Sequence, residues 1–531
     1  MKNTYEVIII GAGMGGLSCG AWLTHMGLKV LVIEQNVQVG GCCSSYRRNG
    51  FNFTPAASII TGTTKKDGVF ERLTKKLGIS IPFIPLDRGY HVHLPDFDYY
   101  LYSSGEHARD QLIEQLLRLF PREAQGIKAF FAKLGKIYEQ MDYATFFGNS
   151  PRDVARILLK CRDLLINMGK GILPFIDDFV KDPKLKTVLS INSTCCNLPP
   201  SRMSLLGIAG LLLEGGLSNP HVAGGAIAVP EAFASFIRSK GGDVVLGSQV
   251  NKVLFDNGTA VGVRAVKSQL AQATGYNEIS SEPREYSAKY IISNAAARET
   301  FLGMVGVDKL PGRFTALLAR QEPTPPFCAL FLGLDVDLKS MGFIPALHIY
   351  SSTYDTDEHF RNVETKIADE TAPPPFFRFQ LAPLSDPSSA PQGKTAFVMH
   401  AIPAPVSGWE QPGFEKRVAD VMIKRAEKII PGLSQKILYQ EFWSPVTMNK
   451  YLMCGADASM GWALTPRQVG PKRLAQQTPI KNLFLSGHWT VPAVGVMSTI
   501  VSGLRAAQMI LKKEGVKEPL ADLGIIGGVK K

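Results

Sequence analysis

The feature that most constrains this chain is a glycine-rich turn wedged between an apolar strand and a helix. Residues 5–10 form an apolar, β-branched run, followed at once by Gly11-Ala12-Gly13-Met14-Gly15-Gly16 and then by helical spacing over 17–26. Gly27 ends that helix, and 29–33 reads as a second buried strand finishing at Glu34. A strand, a turn, a helix and a parallel strand within about 30 residues make a βαβ unit. In its GxGxxG turn, Gly11 permits the tight bend, Gly13 lets backbone approach a pyrophosphate, and Gly16 lets helix pack on strand. The helix N-terminus then offers free N–H groups and the positive end of its dipole to phosphate. Glu34 lies 21 residues beyond Gly13, where an acid ending the second strand accepts ribose hydroxyls and favours an unphosphorylated adenosine.

More strands and glycines follow in two later blocks. Gly224-Gly225 leads into a helix over 231–240, then strands over 243–246, 249–255, 260–266 and 290–292, with a hairpin turn at Asn257-Gly258. Between the glycine-marked parts lie a helix-rich stretch, about 105–215, and a mixed stretch, about 300–450, which contains Pro373-Pro374-Pro375. The expected fold is α/β: a Rossmann-like dinucleotide-binding domain built from the discontinuous segments 1–90, 220–299 and 456–531. An α+β substrate domain, 91–219 and 300–455, is inserted twice.

Composition removes several alternatives. Charged residues are 20% and hydrophobic ones 45% of 531, so the chain folds as a globular protein. The net charge of +12 suits an anionic membrane surface or an acidic ligand. No Lys/Arg run or zinc-type spacing supports a nucleic-acid partner. The eight cysteines (Cys19, Cys42, Cys43, Cys161, Cys195, Cys196, Cys328 and Cys454) form neither a disulfide framework nor a CxxC pair, which points to free thiols in a reducing compartment. Two uncharged stretches, 7–23 and 482–504, carry glycines, and the second also His488 and Pro492. Both read as buried cofactor-binding segments rather than a signal peptide or a membrane span.

Gly40-Gly41 and the following Cys42-Cys43-Ser44-Ser45 supply a second small-residue turn six residues past Glu34. With it the chain resembles the family of carotenoid desaturases, carotenoid isomerases and retinol saturase, FAD proteins of amine-oxidase-like fold. Phe53-Thr54-Pro55-Ala56-Ala57-Ser58-Ile59-Ile60-Thr61 is similar to that family's F-D-x-G-P-[ST]-x-I-T stretch. Ile292-Ser293-Asn294-Ala295 matches its SNA turn, and Val250 falls where its adenine-contacting strand residue sits. Residues 482–490, with Pro492, Gly495, Val496 and Ser502-Gly503, resemble its C-terminal flavin motif. The resemblance implies FAD held by Gly11, Gly13, Gly16, Glu34, Gly40, Gly41, Val250, Gly487, Gly495 and Val496. It implies oxidoreduction or redox isomerisation of double bonds in a hydrophobic polyene or isoprenoid. Cys42 stands where many desaturases carry Arg, and such small residues look more like the isomerase and saturase branch. Ala56 and Ala57 replace a Gly-Pro, and His488 replaces a frequent acid. No catalytic residue is assigned.

The rivals are a flavin amine oxidase and a flavin-free prenyl-binding protein resembling the GDP-dissociation inhibitors. Outside the cofactor motifs, 150–168 reads as a single helix with Ser150 as N-cap and Pro151 at N1. Its stripe of Val154, Ile157, Leu158, Cys161, Leu164, Leu165 and Met168 lies opposite Arg152, Arg156 and Lys160. That stripe serves either as core packing or as a membrane contact admitting a lipid-soluble substrate. A cytoplasmic, peripherally membrane-associated enzyme is expected; its oligomeric state is not readable. His91-Val92-His93 places two imidazoles on one strand face, and with no third ligand in the sequence no metal site is expected.

Overall fold

The computed structural model describes residues 4–103, 107–147, 150–213, 219–276, 282–372, 376–452, 455, 458–526 and 529–530. Cys454 and the Pro373-Pro374-Pro375 segment lie outside the described residues, and the other seven cysteines are free thiols.

Two seven-stranded sheets organise the chain. In the first, the path runs Ser248–Asp256, Thr259–Lys267, Arg284–Ser293, Thr4–Ile10, Val30–Ile33, Asp243–Val245, and Leu483–Leu485 also pairs with Arg284–Ser293. Thr4–Ile10 pairs in parallel with Val30–Ile33, as the glycine turn and its crossover helix require, and also in parallel with Arg284–Ser293. Val7, Ile8 and Ile9 are fully buried, because helices cover one face of this sheet and chain from the 290–320 region covers the other. The crossover helix, Met14–His25, is buried over all but its last residue. It lies against the long terminal helix Val496–Lys513, with the Ser18 hydroxyl 3.3 Å from the Ile500 carbonyl. The hairpin between 256 and 259 turns on Asn257 and Gly258, both at positive φ.

The second sheet orders Ile437–Trp443, Cys328–Leu334, Thr395–Ile402, Phe376–Gln380, Leu347–Tyr350, Arg88–His93 and Asp98–Tyr102. The expected boundary at residue 90 therefore falls inside the strand Arg88–His93. Cys328–Leu334 and Thr395–Ile402 are buried along their whole length, which explains why they are apolar apart from Thr395 and His400. Among the described residues, no helix is long and apolar enough to cross a membrane.

The expected single helix over 150–168 is two helices, Pro151–Lys160 and Arg162–Asn167. Ser150 caps the first as read, accepting the Asp153 N–H at 3.1 Å. The break is at Cys161, whose φ of −115° and ψ of 39° leave the helical region. Contacts from the helix Ala124–Ala144 outcompete helix continuation there. The Gln140 side chain accepts the Leu164 N–H at 2.8 Å, and Lys133 pairs with Asp163. The first of the two helices has no fully buried residue: Ile157 packs partly buried against the core, which Cys161 and Leu164 join past the break, while Val154 is exposed. Leu158 and Leu159 are 62% and 83% exposed.

Candidate functional site

A cavity of about 1120 Å³ opens where the carboxyl ends of the first sheet meet the helical region. That exceeds the usual 300–1,000 Å³ of a small-ligand pocket, leaving room for an extended cofactor and a second molecule. Its walls include Gly11, Gly13, Glu34, Gly40, Gly41, Val250, Gly487, Gly495 and Val496, brought together from three distant stretches of chain. Gly16 alone of the anticipated residues is not on the wall. A Cβ there would stand 2.3 Å from the Gly11 carbonyl oxygen, so it serves the close helix–strand contact beneath the turn.

The turn's geometry depends on a residue whose role sequence reasoning missed. Asn294 follows directly after the strand Arg284–Ser293, and its N–H donates to the Ile10 carbonyl at 2.8 Å. A Cβ on Gly13 would lie 2.7 Å from Asn294 Nδ2, and one on Gly487 would lie 2.5 Å from Asn294 Oδ1. The Asn294 amide therefore occupies the space between the first glycine turn and the C-terminal motif, and both glycines are bare because of it. Gly40 is stitched to the same turn, its N–H donating to the Ala12 carbonyl at 2.9 Å. Two helices begin on the cavity wall, at Met14 and at Val496, and neither has a side-chain cap or an acid in its first turn. Their N-terminal amides are open to an anion.

Glu34 is 6% exposed, and its oxygens accept the N–H groups of Ala12 at 2.7 Å and Asn36 at 2.9 Å. Burial pushes its carboxyl above the usual glutamic-acid value despite those bonds. Glu34 is on the cavity wall, where a carboxylate oxygen can accept a hydroxyl donor of a ligand.

Two buried arginines, Arg378 and Arg473, and the half-buried Arg505 also line the cavity. Arg473 donates to the carbonyls of Thr490 at 2.8 Å, Trp462 at 2.9 Å and His488. Burial lowers its pKa to about 9, which still leaves a cation at neutral pH. The ring of His488 is neutral there: burial first, and then Arg473, bring it down to about 4. Gln476 ties the turn to the last helix, donating to Ser502 Oγ at 3.1 Å, while Ser502 Oγ accepts the Gly487 N–H at 3.0 Å. One sequence signal for this set exists: Arg505 is the only Lys, Arg, Asp or Glu between Asn482 and Leu511.

Another part of the wall is apolar, with Ile59, Ile157, Leu164, Leu165, Met168 and Leu206 among its residues. Thus the two short helices that replace the expected single one contribute cavity lining on one side and exposed leucines on the other.

The family model for flavin containing amine oxidoreductase matches residues 14–511. The chain belongs to the flavin-containing amine oxidoreductase family. It is an oxidoreductase-type enzyme with a flavin cofactor, and the two uncapped helix starts with the buried Glu34 acceptor fit a flavin dinucleotide. A prolycopene isomerase of an Oncidium hybrid cultivar is 26% identical over 98% of this chain and 86% of that protein. A neurosporene-forming phytoene desaturase of Rhodobacter capsulatus is 24% identical, covering 96% of this chain and 95% of the relative. Among solved structures, cyclohexylamine oxidase from Brevibacterium oxydans superposes with a TM-score of 0.59 at 16% identity, covering 96% of this chain and 99% of the other. That likeness establishes the shared α/β flavoprotein fold and nothing about substrate.

Proposed function

We propose that the chain is an FAD-dependent redox isomerase or oxidoreductase acting on the double bonds of a long hydrophobic polyene or isoprenoid. The observation that carries this reading is one continuous cavity joining the glycine turns to the apolar wall around Ile157, Leu164 and Leu206. The likeness to prolycopene isomerase and phytoene desaturase, by their names enzymes of polyenes, supports the same substrate class.

In this reading 1–90, 220–299 and 456–531 hold FAD, and 91–219 with 300–455 hold the substrate. Amides at Gly13 and Met14 and at Gly495 and Val496 receive anionic or carbonyl oxygens. Glu34 accepts the ribose hydroxyls, and Val250 flanks the adenine. Bound FAD supplies the exchange of electrons or hydride with the substrate. The apolar wall excludes water and aligns the polyene. Arg473, a cation whose hydrogen-bond partners among the described residues are backbone carbonyls, favours added negative charge in the cavity. That bias, together with Cys42 after the glycine pair, supports chemistry from the reduced cofactor, hence isomerisation or saturation over desaturation. His488, neutral and committed through its backbone to Arg473, carries no proton-transfer step.

The same reading makes the enzyme a peripheral membrane protein. The helix Pro151–Lys160 presents Val154, Leu158 and Leu159 outward beside exposed Arg152, Arg156 and Lys160, a surface matched to an anionic bilayer. The test of the reading is direct. Purified protein should be yellow, release FAD on denaturation, and carry a co-purifying polyene or isoprenoid. A colourless protein that retains a prenyl group without flavin would favour the binding-protein rival.

A further inference from the structure

The two histidines that alternate along Arg88–His93 acquire a third partner in the fold. Leu347–Tyr350 pairs in parallel with that strand, setting His348 opposite His91 and Tyr350 opposite His93. A ring nitrogen from each of His91, His93 and His348 lies within 4.8 Å of the other two. None of the three lines the large cavity.

The hydrogen bonds fix which nitrogens carry protons. Asp98 Oδ2 lies 3.0 Å from His91 Nε2 and 2.9 Å from His93 Nδ1. A carboxylate can only accept, so both of those nitrogens are N–H donors. His348 Nε2 faces the Ile344 carbonyl at 3.0 Å and must also donate. A neutral imidazole has a single N–H, which leaves lone pairs on His91 Nδ1, His93 Nε2 and His348 Nδ1. The last two face each other at 3.1 Å, and His91 Nδ1 is buried with no hydrogen-bond partner.

We propose that His91, His93 and His348 bind a divalent transition-metal ion of the zinc type, with Asp98 and the Ile344 carbonyl orienting the rings. Zinc bound to imidazole nitrogens at about 2.0–2.1 Å separates neighbouring ligands by about 3.3 Å, close to the His93–His348 spacing. Each ring donates its second N–H to an oxygen, the arrangement that holds metal-ligating imidazoles in one tautomer. His91 and His93 are 13% and 20% exposed at the side chain, so an ion can enter from solvent and keep water as its fourth ligand. The ion would clasp the 88–102 hairpin to a strand about 250 residues later in the chain.

The experiment uses tag-free, flavin-loaded full chain, stripped with chelator and dialysed to equilibrium against Zn²⁺, with metal and flavin both quantified. The parent should bind one zinc per chain that His93→Gln lacks, with flavin content equal in both. Asp98→Asn should keep the stoichiometry but bind about 10–100-fold more weakly. His348→Asn should also lose the ion. Because His348 is buried and that variant can misfold, the His91→Gln and His93→Gln variants, at partly exposed positions, carry the decision. A parent that binds no zinc, or a double His91→Gln/His93→Gln variant that binds it as the parent does, would overturn the proposal and leave a histidine cluster sharing a proton.

Discussion

Replacing Glu34 should separate cofactor binding from folding more cleanly than any other single change. In Glu34→Ala, the adenosine ribose loses an acceptor whose hydrogen bonds are charge-assisted, each worth about 1.5–3 kcal/mol. Two such bonds amount to about 3–6 kcal/mol, or roughly a 10²–10⁴-fold weaker dissociation constant for FAD. The Ala12 and Asn36 N–H groups also lose their partner, but removing a buried charge offsets part of that loss. Protein stability should therefore fall by less than binding does. The pH dependence has a definite sign. Burial raises the folded-state pKa of Glu34, so its contribution to apoprotein stability is full below the ordinary glutamic-acid value and is lost as pH rises through the raised one. Binding runs the other way, because ribose hydroxyls donate to the ionised form, so FAD affinity should climb over that window. Glu34→Gln should bind FAD more weakly and abolish the slope. Titrating apoprotein by flavin fluorescence from mildly acidic to neutral pH measures both quantities. FAD affinity in Glu34→Ala within about threefold of the parent would refute the ribose assignment.

Gly13→Val should abolish flavin content with secondary structure retained, since even its Cβ crowds the Asn294 amide at 2.7 Å; stoichiometric flavin by absorbance would count against the turn. Reversing Arg152, Arg156 and Lys160 to Glu should weaken anionic-liposome binding by about 100-fold or more at low salt, from ~1 kcal/mol per cation, with flavin content unchanged. Equal co-sedimentation of parent and triple variant would move the membrane contact elsewhere. Asp386, whose oxygens accept the Gly224 and Ser388 N–H groups at 2.8 and 2.9 Å, should make the protein acid-sensitive. Burial alone would raise its pKa, but His221 and these amides outweigh burial and hold it well below the carboxylate range. Its stability contribution is present above the ordinary aspartic-acid value and lost as pH falls through the depressed one. Chemical denaturation should thus find Asp386→Asn less stable by about 1–3 kcal/mol at neutral pH, a gap that closes in strong acid.

The nucleotide-binding half was legible because its constraints are local. The strand 5–10, the Gly11–Gly16 turn and Glu34 lie within thirty residues, and steric and dipole requirements at each position follow from sequence spacing alone. What depended on chain returning from far away was not legible. Asn294 could be matched to an SNA turn, but its wedge between Gly13 and Gly487 exists only once the strands assemble. The break at Cys161 comes from Gln140 and Lys133 on a separate helix, so periodicity over 150–168 could not announce it. Arg473 sits in an ordinary Gly-Pro-Lys-Arg stretch, and only its three carbonyl partners mark it as a buried cation. His348 joins His91 and His93 through parallel strand pairing, which no spacing in the sequence encodes.

The central claim is polyene chemistry from reduced FAD, and anaerobic single-turnover analysis tests it most directly. Flavin-loaded enzyme, photoreduced or left oxidised, would be mixed with a poly-cis carotenoid in anionic liposomes and the products separated chromatographically. The account predicts that only the reduced enzyme converts substrate, to a trans isomer or a product with one fewer double bond. Conversion by the oxidised enzyme alone to a more unsaturated product would contradict it, as would turnover of a primary amine with no reaction of the polyene.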